Sequence, residues 1–223
     1  MAGLMQKLFP KAAAAGLTLI LPEGQDPRVM QAAKLVAERK TAKVKILATP
    51  AEAEQAAKGV CFQGLDVEII DWTKSPLFDR LANTLFERRK SKGLTEAQAR
   101  DMTANRLYFA NLMLNQGLVD GLVAGSIAST PDMLRSAFHC VGTAKGIKLA
   151  SSCFVMDLKT PAPAGDETLI FADCGVNPNP SAEELVDIAI ATISTYKALI
   201  GDKPRLAFLS YSTKGSAKGD LVD

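Results

Sequence analysis

Short runs of apolar residues alternate along the chain with longer stretches in which apolar residues recur every three or four positions. This alternation is typical of α/β folds, in which helices connect the strands of a mostly parallel sheet. The apolar runs predict five such strands, over residues 17–21, 44–48, 67–71, 119–124 and 205–210. Two further runs, over residues 147–158 and 168–173, flank a turn rich in proline and predict an antiparallel hairpin.

Polar capping residues mark where the connecting helices begin. A cap followed by proline occurs at residues 26–27 and 49–50, and capping boxes begin at Thr95 and Ser181. With the apolar spacing, these signals predict helices over residues 27–39, 50–59, 77–92, 95–113, from 131 onwards and over 181–200. The order of elements therefore predicts an α/β fold with a mostly parallel sheet.

The pattern changes after Gly146, where the hairpin interrupts the alternation of strand and helix. We place a domain boundary within residues 143–147, which predicts a first α/β domain over residues 1–145 and a second over 146–223. After the last predicted strand, a loop leads to four final residues, which are too few for a returning helix. The second domain is therefore expected to be incomplete, with a short polar tail as the alternative.

The composition narrows the class of protein. The chain has 223 residues, of which 48% are hydrophobic and 22% charged, and its formal net charge is +2. These values exclude a disordered or fibrous protein and give no reason to expect binding to nucleic acid. The longest run of small or apolar residues is about half of the roughly 20 residues that cross a bilayer, so no membrane span is expected. The first residues do not resemble a secretory leader, and we expect a cytoplasmic location.

The cysteines and the histidine do not form a recognisable site in the sequence. Cys61, Cys140, Cys153 and Cys174 lie far apart without a CxxC motif, and His139 is the one histidine. A zinc site needs three or four clustered ligands, so no metal site is predicted, and we expect free thiols in a reducing compartment. We expect His139 to be a packed or surface residue, with a general base as the alternative.

The loop over residues 210–218 carries hydroxyl and amino groups directly after a predicted strand. It contains four serine or threonine residues, two lysines and one glycine, and residues 203–218 contain four basic residues and no acid. Backbone amides, hydroxyls and lysines in such a loop can bind phosphate oxygens, so we interpret the loop as an anion-binding site. The alternative is a solvated loop without a ligand. The spacing of a Walker A loop is absent.

A second cluster of anion-binding groups follows the predicted strand 119–124. Ser129 and Thr130 stand at the start of a predicted helix, and Arg135 lies one turn further along, so together they can grip a phosphate. The basic residues at 88–92 end another helix, where cations also offset the helix dipole. No GxGxxG motif follows a predicted strand, which counts against a nicotinamide-dependent dehydrogenase.

Four sequence blocks carry a resemblance to a known family. They lie at residues 21–28 (LPEGQDPR), 120–135, 171–177 (FADCGVN) and 209–218 (LSYSTKGSAK). In order and spacing they resemble the phosphate acetyltransferases of the phosphate acetyl/butyryl transferase family, over essentially the whole chain. The last string is highly specific, and the FADCG and STKGSAK strings favour the acetyl enzyme over its butyryl relative.

The resemblance implies a reaction and a set of partners. The reaction is reversible transfer of an acetyl group between coenzyme A and inorganic phosphate, by direct thiolate attack in a ternary complex. The partners are acetyl-CoA or CoA, phosphate and acetyl phosphate, with CoA as a substrate rather than a permanently bound cofactor and with no metal requirement. The resemblance also implies two α/β domains with the substrate cleft between them, and a homodimer.

The resemblance also implies roles for individual residues. Arg89 matches an arginine associated with coenzyme A. The residues expected to bind substrate are Ser129, Thr130, Arg135, Ser212, Thr213, Lys214, Gly215 and Ser216. One departure is Ser136, which replaces a proline that often follows the arginine at 135.

The larger departure is length. Members of this family continue past the STKGSAK loop, through a PDLxxGN-type loop and an NDLSRG-type motif followed by an acidic residue, which supply the catalytic serine, arginine and aspartate. The printed sequence contains neither motif. We therefore expect a truncated, nearly inactive member whose catalytic residues lie in the missing part. The alternatives are an NAD(P)-dependent decarboxylating dehydrogenase of related fold and a CoA-binding module without turnover.

Overall fold

The computed structural model describes residues 3–162, 167–210, 212–213 and 215–218. The chain divides into two compact units, one formed by Leu4–Ala144 and one that begins at Lys145. Each unit is described by itself below. In the part of the chain that the structure describes, no helix has both the length and the hydropathy needed to cross a membrane.

The N-terminal unit alternates helices and strands, as the sequence predicted. Its strands are β1 (Thr18–Leu21), β2 (Lys43–Leu47), β3 (Val67–Ile70) and β4 (Gly121–Leu122). Its helices are α1 (Leu4–Ala15), α2 (Pro27–Glu38), α3 (Pro50–Ala56), α4 (Phe78–Arg89), α5 (Glu96–Ala104), α6 (Arg106–Asn115) and α7 (Thr130–Cys140). Short 3-10 turns follow β3 at Trp72–Lys74 and α4 at Lys90–Lys92.

The four strands form one parallel sheet in the order β3-β2-β1-β4, which confirms the predicted parallel sheet. Thr18 pairs with Lys43, and Leu19 pairs with Gly121 across the other edge of β1. Because β1 and β4 are parallel neighbours, the loops at their carboxyl ends lie at the same edge of the sheet. That edge is where ligands bind in open α/β sheets.

The core of this unit packs α4 and α6 against β1. Ile20, Leu81, Leu85, Phe109 and Leu112 are all fully buried. Each such side chain stabilises the fold by about 1.5–3 kcal/mol relative to an exposed position. The helices that flank the ligand edge are therefore held rigidly.

The sequence predicted one helix over residues 95–113, and this prediction is wrong because the helix is broken at Asn105. Asn105 has extended backbone angles, and its side chain accepts a hydrogen bond from the N–H of Leu107 at 2.9 Å, which caps α6. The indole N–H of Trp72 donates to the carbonyl of Ala104 at 2.9 Å and satisfies the end of α5. Asparagine favours such a capping position over a helix interior. Helix α1 was not predicted.

The C-terminal unit contains β5 (Cys153–Asp157), β6 (Thr168–Ala172) and α8 (Ala182–Leu199). The two strands are antiparallel, with Cys153 opposite Ala172, which confirms the predicted hairpin. Its first strand begins at Cys153 rather than at residue 147. Ser181 caps α8 in a capping box with Glu184, as predicted.

The strand predicted over residues 205–210 is wrong for the described chain, in which this segment belongs to no strand. Leu206, Phe208 and Leu209 are 47, 62 and 81% exposed. A strand requires a ladder partner, and the described strands of this unit pair with each other alone. The described sheet of the C-terminal unit is therefore an antiparallel pair, which differs from the mostly parallel sheet predicted for the second domain.

Candidate functional site

A cleft of about 330 Å³ opens in the N-terminal unit, at the edge of the parallel sheet where the carboxyl ends of the strands lie. Its walls come from the turn after β1, the first turn of α6, and the loop and first turns of α7. The lining residues are Glu23, Gln25, Asn105, Arg106, Leu107, Tyr108, Ile127, Ala128, Asp132 and Arg135.

One wall of the cleft is built on the carboxylate of Glu23. Its Oε2 accepts hydrogen bonds from the N–H groups of Gly125 at 2.6 Å and Ser126 at 2.9 Å, and from the Ser126 hydroxyl at 3.1 Å. Its Oε1 accepts from the N–H groups of Ile127 at 2.9 Å and Ala128 at 2.6 Å. The loop that precedes α7 therefore wraps around one buried carboxylate.

The hydrogen bonds keep Glu23 ionised in spite of its burial. The residue is 2% exposed, and burial alone would raise its pKa. The N–H groups of Ala128, Ile127, Ser126 and Gly125 outweigh that effect, so the pKa of Glu23 is lowered. Carboxylates that accept several backbone hydrogen bonds behave in this way.

A glycine in each of the two segments, the turn after β1 and the loop after β4, allows this arrangement. A Cβ on Gly24 would lie 2.5 Å from the Ile46 side chain and 2.7 Å from the carbonyl oxygen of Leu47, so the turn after β1 could not pack against β2. Gly125 has a φ of +109°, which favours glycine. The chain therefore brings Glu23 and the loop to within hydrogen-bond distance.

Asp26 and Arg28 form a second connection between the turn after β1 and the loop before α7. Arg28 Nη2 donates to Asp26 Oδ2 at 2.6 Å and to the carbonyl of Ser126 at 2.8 Å. The hydrogen bonds from the Arg28 side chain and N–H lower the pKa of Asp26 to about 2. The LPEGQDPR block thus stabilises the loop before α7 through hydrogen bonds to Glu23 and from Arg28.

Arg106 forms the floor of the cleft. Its guanidinium donates to Glu52 Oε1 at 2.6 Å, bonds to the side chain of Gln25 and lies 4.4 Å from the ring centroid of Trp72. The Arg106 and Glu52 side chains are 19% and 27% exposed. The charge of Arg106 is therefore compensated by Glu52, and its guanidinium packs against the ring of Trp72.

Of the residues predicted to bind substrate, Arg135 lines the cleft, and Ser129 and Thr130 lie at the start of the same helix. Ser129 caps the helix, because its hydroxyl accepts from the Asp132 N–H at 3.3 Å and donates to Asp132 Oδ2 at 2.7 Å. Thr130 is exposed at the first helical position. Arg135 is exposed and has an ion pair with Asp132 at 3.1 Å, one helical turn away. Such a pair is worth about 0–1 kcal/mol, so Arg135 can exchange it for a ligand.

Arg89 shares an electrostatic environment with Arg135, although the two residues lie on different helices. The Tyr108 hydroxyl and Nδ1 of His139 share a hydrogen bond at 2.9 Å. Burial, with the positive charges of Arg89, Arg135 and Lys92, lowers the pKa of His139. Burial also raises the pKa of Tyr108, against the effect of Arg135 and Arg89. The positive charges of Arg89 and Arg135 thus act on both members of the Tyr108–His139 pair, and that of Lys92 acts on His139.

Ser136 and the neighbouring helix explain why α7 tolerates a serine at this position. Ser136 is fully buried, and its hydroxyl accepts from Asn111 Nδ2 at 3.1 Å and donates to the carbonyl of Met133 at 2.9 Å. Cys140 is also fully buried, and burial raises the pKa of its thiol to about 12. Its thiol is therefore protonated and inert at neutral pH.

The other predicted substrate-binding residues lie in the C-terminal unit. Ser216 donates its N–H and its hydroxyl to the Thr213 carbonyl, at 2.9 and 2.6 Å, in a turn that includes Gly215. Within the described residues, the buried hydroxyl oxygen of Ser212 has no hydrogen-bond partner. The predicted Lys214 lies outside the described residues.

Asp173 organises the FADCGVN block of this unit. Its carboxylate accepts from the Ser152 N–H and hydroxyl, the N–H groups of Gly175 and Val176, and Asn177 Nδ2, at 2.7–3.0 Å. Burial alone would raise the pKa of Asp173, but these hydrogen bonds hold it well below its usual range. This block is therefore a folded turn rather than a free group of ligands.

Sequence reasoning gave no individual role to Glu23, Arg106 or Tyr108, which line the cleft. The LPEG string held a signal for Glu23, because it is part of the first block that carries the family resemblance. Tyr108 and Arg106 gave no such signal, because they occupy ordinary positions within a predicted helix.

Comparison with known proteins gives a consistent result. A family model described as phosphate acetyl/butaryl transferase matches residues 3–223. A phosphate acetyltransferase from Thermoanaerobacterium thermosaccharolyticum is 42% identical over 223 residues, which cover 99% of this chain and 66% of that protein. One from Acetivibrio thermocellus is 37% identical over 219 residues, covering 98% and 65%. The structure of EutD phosphotransacetylase from Staphylococcus aureus has a TM-score of 0.83 at 32% identity, covering 99% of this chain and 65% of that one. The chain thus spans just under two thirds of the length of these relatives.

Proposed function

The chain belongs to the phosphate acetyl/butaryl transferase family, and we propose that the protein transfers an acetyl group reversibly between coenzyme A and inorganic phosphate. The reactants are acetyl-CoA and phosphate, and the products are CoA and acetyl phosphate. Coenzyme A is a substrate in this proposal and no permanently bound cofactor takes part.

The observation that carries the proposal is the exposed arginine Arg135 in the lining of the cleft. The positive charges of Arg89 and Lys92, like that of Arg135, lower the pKa of His139, which shares a hydrogen bond with Tyr108 of the same lining. Among the described residues, no acidic side chain forms an ion pair or hydrogen bond with Arg89. Arginines that lack an acidic partner or hold only a weak surface ion pair attract multiply charged anions, and both CoA and acetyl phosphate carry phosphate groups.

The chemistry asks for positioning and charge compensation. The CoA thiolate attacks the carbonyl carbon of acetyl phosphate, a C–S bond forms, and the C–O bond to phosphate breaks with its electron pair leaving on phosphate. The thiol proton passes to a base. We propose that Arg89 binds the phosphates of CoA and that Arg135, with Thr130 and Ser129, binds the acyl phosphate. Holding both substrates in line removes much of the entropic barrier.

We assign the loop over residues 212–216 to the acyl phosphate as well. Its support is the Ser212 hydroxyl, which is buried without a partner among the described residues, and the turn that Thr213, Gly215 and Ser216 form. Lys214 remains part of this proposal on the sequence alone. No described residue is assigned as the general base, because His139 is engaged with Tyr108 and Cys140 is protonated.

A polypeptide of residues 1–223 alone is proposed to have little turnover. The motifs that supply catalytic residues in the resembling family have no counterpart in the printed sequence. The C-terminal unit also exposes large apolar side chains, with Phe154, Phe171 and Phe208 at 58, 49 and 62%. Such a surface is typical of a face that other protein covers. Wild-type turnover by a verified 223-residue polypeptide would overturn this part of the proposal.

We further propose a cytoplasmic homodimer, because acetyl-CoA and acetyl phosphate are small intracellular metabolites and the resembling family is dimeric. Light scattering coupled to size-exclusion chromatography measures the oligomeric state of the complete gene product. A monomeric mass at working concentration would reject the dimer and leave the reaction untouched.

The experiment that tests the function is acetyl exchange by the complete gene product, with CoA and acetyl phosphate in one direction and acetyl-CoA and phosphate in the other. Acetyl-CoA formation supports the proposal. A thermal-shift screen with NAD, NADP and CoA separates the two alternatives. Stabilisation by a nicotinamide cofactor would favour the dehydrogenase. CoA binding without product would favour a CoA-binding module.

A further inference from the structure

The loop between β4 and α7 is an anion-binding nest that the protein fills with its own carboxylate. Four consecutive N–H groups, from Gly125 to Ala128, and the Ser126 hydroxyl converge on Glu23 at 2.6–3.1 Å. Successive N–H groups that point to one centre form the kind of concavity that binds phosphate in other proteins. Here that centre is occupied by a side chain that is 2% exposed.

The position of this loop determines the position of the cationic helix that follows it. Ala128 precedes Ser129, the cap of α7, and Arg135 lies six residues after the cap. Four of the five hydrogen bonds from the loop to Glu23 come from backbone N–H groups, so the carboxylate fixes the path of the chain. The Arg28 hydrogen bond to the Ser126 carbonyl supports the same path from the other side.

The charge of Glu23 matters as well as its shape. All five of its partners are donors, which suits a carboxylate, and a glutamine amide would place an NH₂ group against at least two of them. A substrate phosphate cannot occupy the same nest while Glu23 is in it. In the proposed function, substrate anions are bound by the side chains of α7, by Arg89 and by the loop over residues 212–216. The loop of residues 125–128 serves to hold α7.

We propose that Glu23 is a positioning residue for substrate binding, and that its carboxylate replaces a ligand anion in the nest of residues 125–128 to fix Arg135 at the cleft mouth. This inference rests on the proposed acetyl transfer for its kinetic readout. It is independent of that transfer for its structural readout.

The test compares Glu23→Gln with Glu38→Gln in the complete gene product. Glu38 is a half-exposed glutamate on α2 whose i,i+4 partner is Lys34, so it controls for loss of one carboxylate. Glu23→Gln is expected to raise KM for acetyl phosphate about tenfold or more, with kcat changed by less than about threefold. The reason is that the loop over residues 125–128 loses charge-assisted hydrogen bonds to Glu23, so Arg135 is no longer held in its binding position. Amide hydrogen exchange over residues 125–130 is expected to speed up, and Glu38→Gln is expected to match wild type in both measurements.

Rescue separates positioning from a general loss of structure. In Glu23→Ala the nest is empty, and sodium formate at tens of millimolar is expected to restore a low KM and slow exchange over residues 125–130. Sodium chloride at equal ionic strength is expected to restore neither. If the Glu23 variants do not fold, Ser126→Ala removes one of the five donors and is expected to raise KM by a smaller factor in the same direction.

Two results would overturn the inference. One is unchanged KM and unchanged exchange over residues 125–130 in Glu23→Gln. The other is a parallel fall of kcat, substrate affinity and melting temperature that formate does not reverse, since this would mean a purely structural role. Absence of acetyl transfer in the wild-type protein would reject the proposed function instead, and hydrogen exchange with formate rescue would still decide the role of Glu23.

Discussion

The N–H of Ala128 donates to Oε1 of Glu23 at 2.6 Å, although the two residues are 105 positions apart in the sequence. They meet because β1 and β4 are parallel neighbours, so the turn after one strand lies beside the loop after the other. This contact joins the LPEGQDPR block to the helix that carries Arg135. The candidate site is therefore assembled from short sequence blocks that are far apart in the chain and that together carry the family resemblance.

Arg135→Ala is expected to weaken substrate binding without changing the fold. The side chain is 59% exposed and its ion pair with Asp132 is a surface pair, so its loss is expected to change stability by at most about 0.5 kcal/mol. KM for acetyl phosphate is expected to rise about tenfold or more, because a phosphate loses a charge-assisted partner. Steady-state kinetics and a thermal melt measure both effects.

Arg100→Ala is the matched control for that variant. Arg100 has a similar surface pair with Asp79 at 2.7 Å, away from the cleft, and its side chain is 55% exposed. Its kinetic constants are expected to equal those of the wild type. Equal KM values for Arg135→Ala and Arg100→Ala would reject the role of Arg135.

Substitution of Arg88 is expected to affect stability, whereas substitution of its neighbour Arg89 is expected to affect CoA binding. Arg88 donates to the carbonyl of Val141 at 2.9 Å and satisfies the end of α7, so Arg88→Ala is expected to cost about 0.5–1.5 kcal/mol of stability. Arg89→Ala is expected to leave stability unchanged and to weaken CoA binding. Denaturant unfolding and CoA titration by calorimetry measure the two quantities. The assignment fails if Arg88→Ala is the variant that loses CoA affinity while Arg89→Ala retains it.

The imidazole of His139 is expected to report anion binding. It is the one histidine in the sequence, so its NMR signals are assigned without ambiguity. Its pKa is expected to lie below the ordinary 6.5, because of burial and of the charges of Arg89, Arg135 and Lys92. CoA is expected to raise that pKa, since its phosphates compensate those charges. A pKa of 6.5 or above in the free protein, unmoved by CoA, would contradict the cationic cluster.

The same lowered pKa makes a prediction about stability. The unfolded state takes up a proton at His139 near pH 6.5, while the folded state resists it, so the unfolded state binds more protons just below that pH. This contribution to stability is present above about pH 6.5 and is lost as the pH falls through the folded pKa. His139→Gln is expected to remove this part of the pH dependence, which denaturant unfolding between pH 5 and pH 8 measures, in about half-unit steps.

Asp173→Asn is expected to destabilise the C-terminal unit. The carboxylate accepts five hydrogen bonds, and the amide would replace one accepting oxygen with a donor. The expected loss is about 1–3 kcal/mol at pH 7. Because the folded pKa of Asp173 lies below its ordinary 3.8, the stabilisation is present above that pH and is lost as the pH falls through the folded pKa. Thermal melts of Asp173→Asn and of the exposed control Asp202→Asn test this, and equal melting temperatures would contradict it.

Local signals predicted much of the fold. The caps at Thr49, Thr95 and Ser181 all form as capping boxes. The apolar runs of β1, β2 and β3 predicted the parallel sheet because each run is short and bounded by turn residues. Asn105 was not recognised as a break, since apolar periodicity continues across it and the contact from Trp72 that stabilises the break comes from 32 positions away.

The candidate site was less predictable from the sequence. Arg135 was identified from its place one turn into a predicted helix, and Arg89 through a family resemblance, whereas their shared effect on the pKa values of Tyr108 and His139 depends on how α4, α6 and α7 pack. The hydroxyl of Ser129 was expected to bind substrate, and the structure adds that it already caps α7. Side-chain roles that depend on long-range packing are not encoded in spacing along the chain.

The most direct measurement of the central claim is the second-order rate constant for acetyl-CoA formation from CoA and acetyl phosphate, compared between the wild-type gene product, Arg135→Ala and Arg100→Ala. The account predicts robust turnover by the wild type, a loss of about tenfold or more in kcat/KM for Arg135→Ala and no loss for Arg100→Ala. A folded wild-type protein that forms no acetyl-CoA in either direction would contradict it.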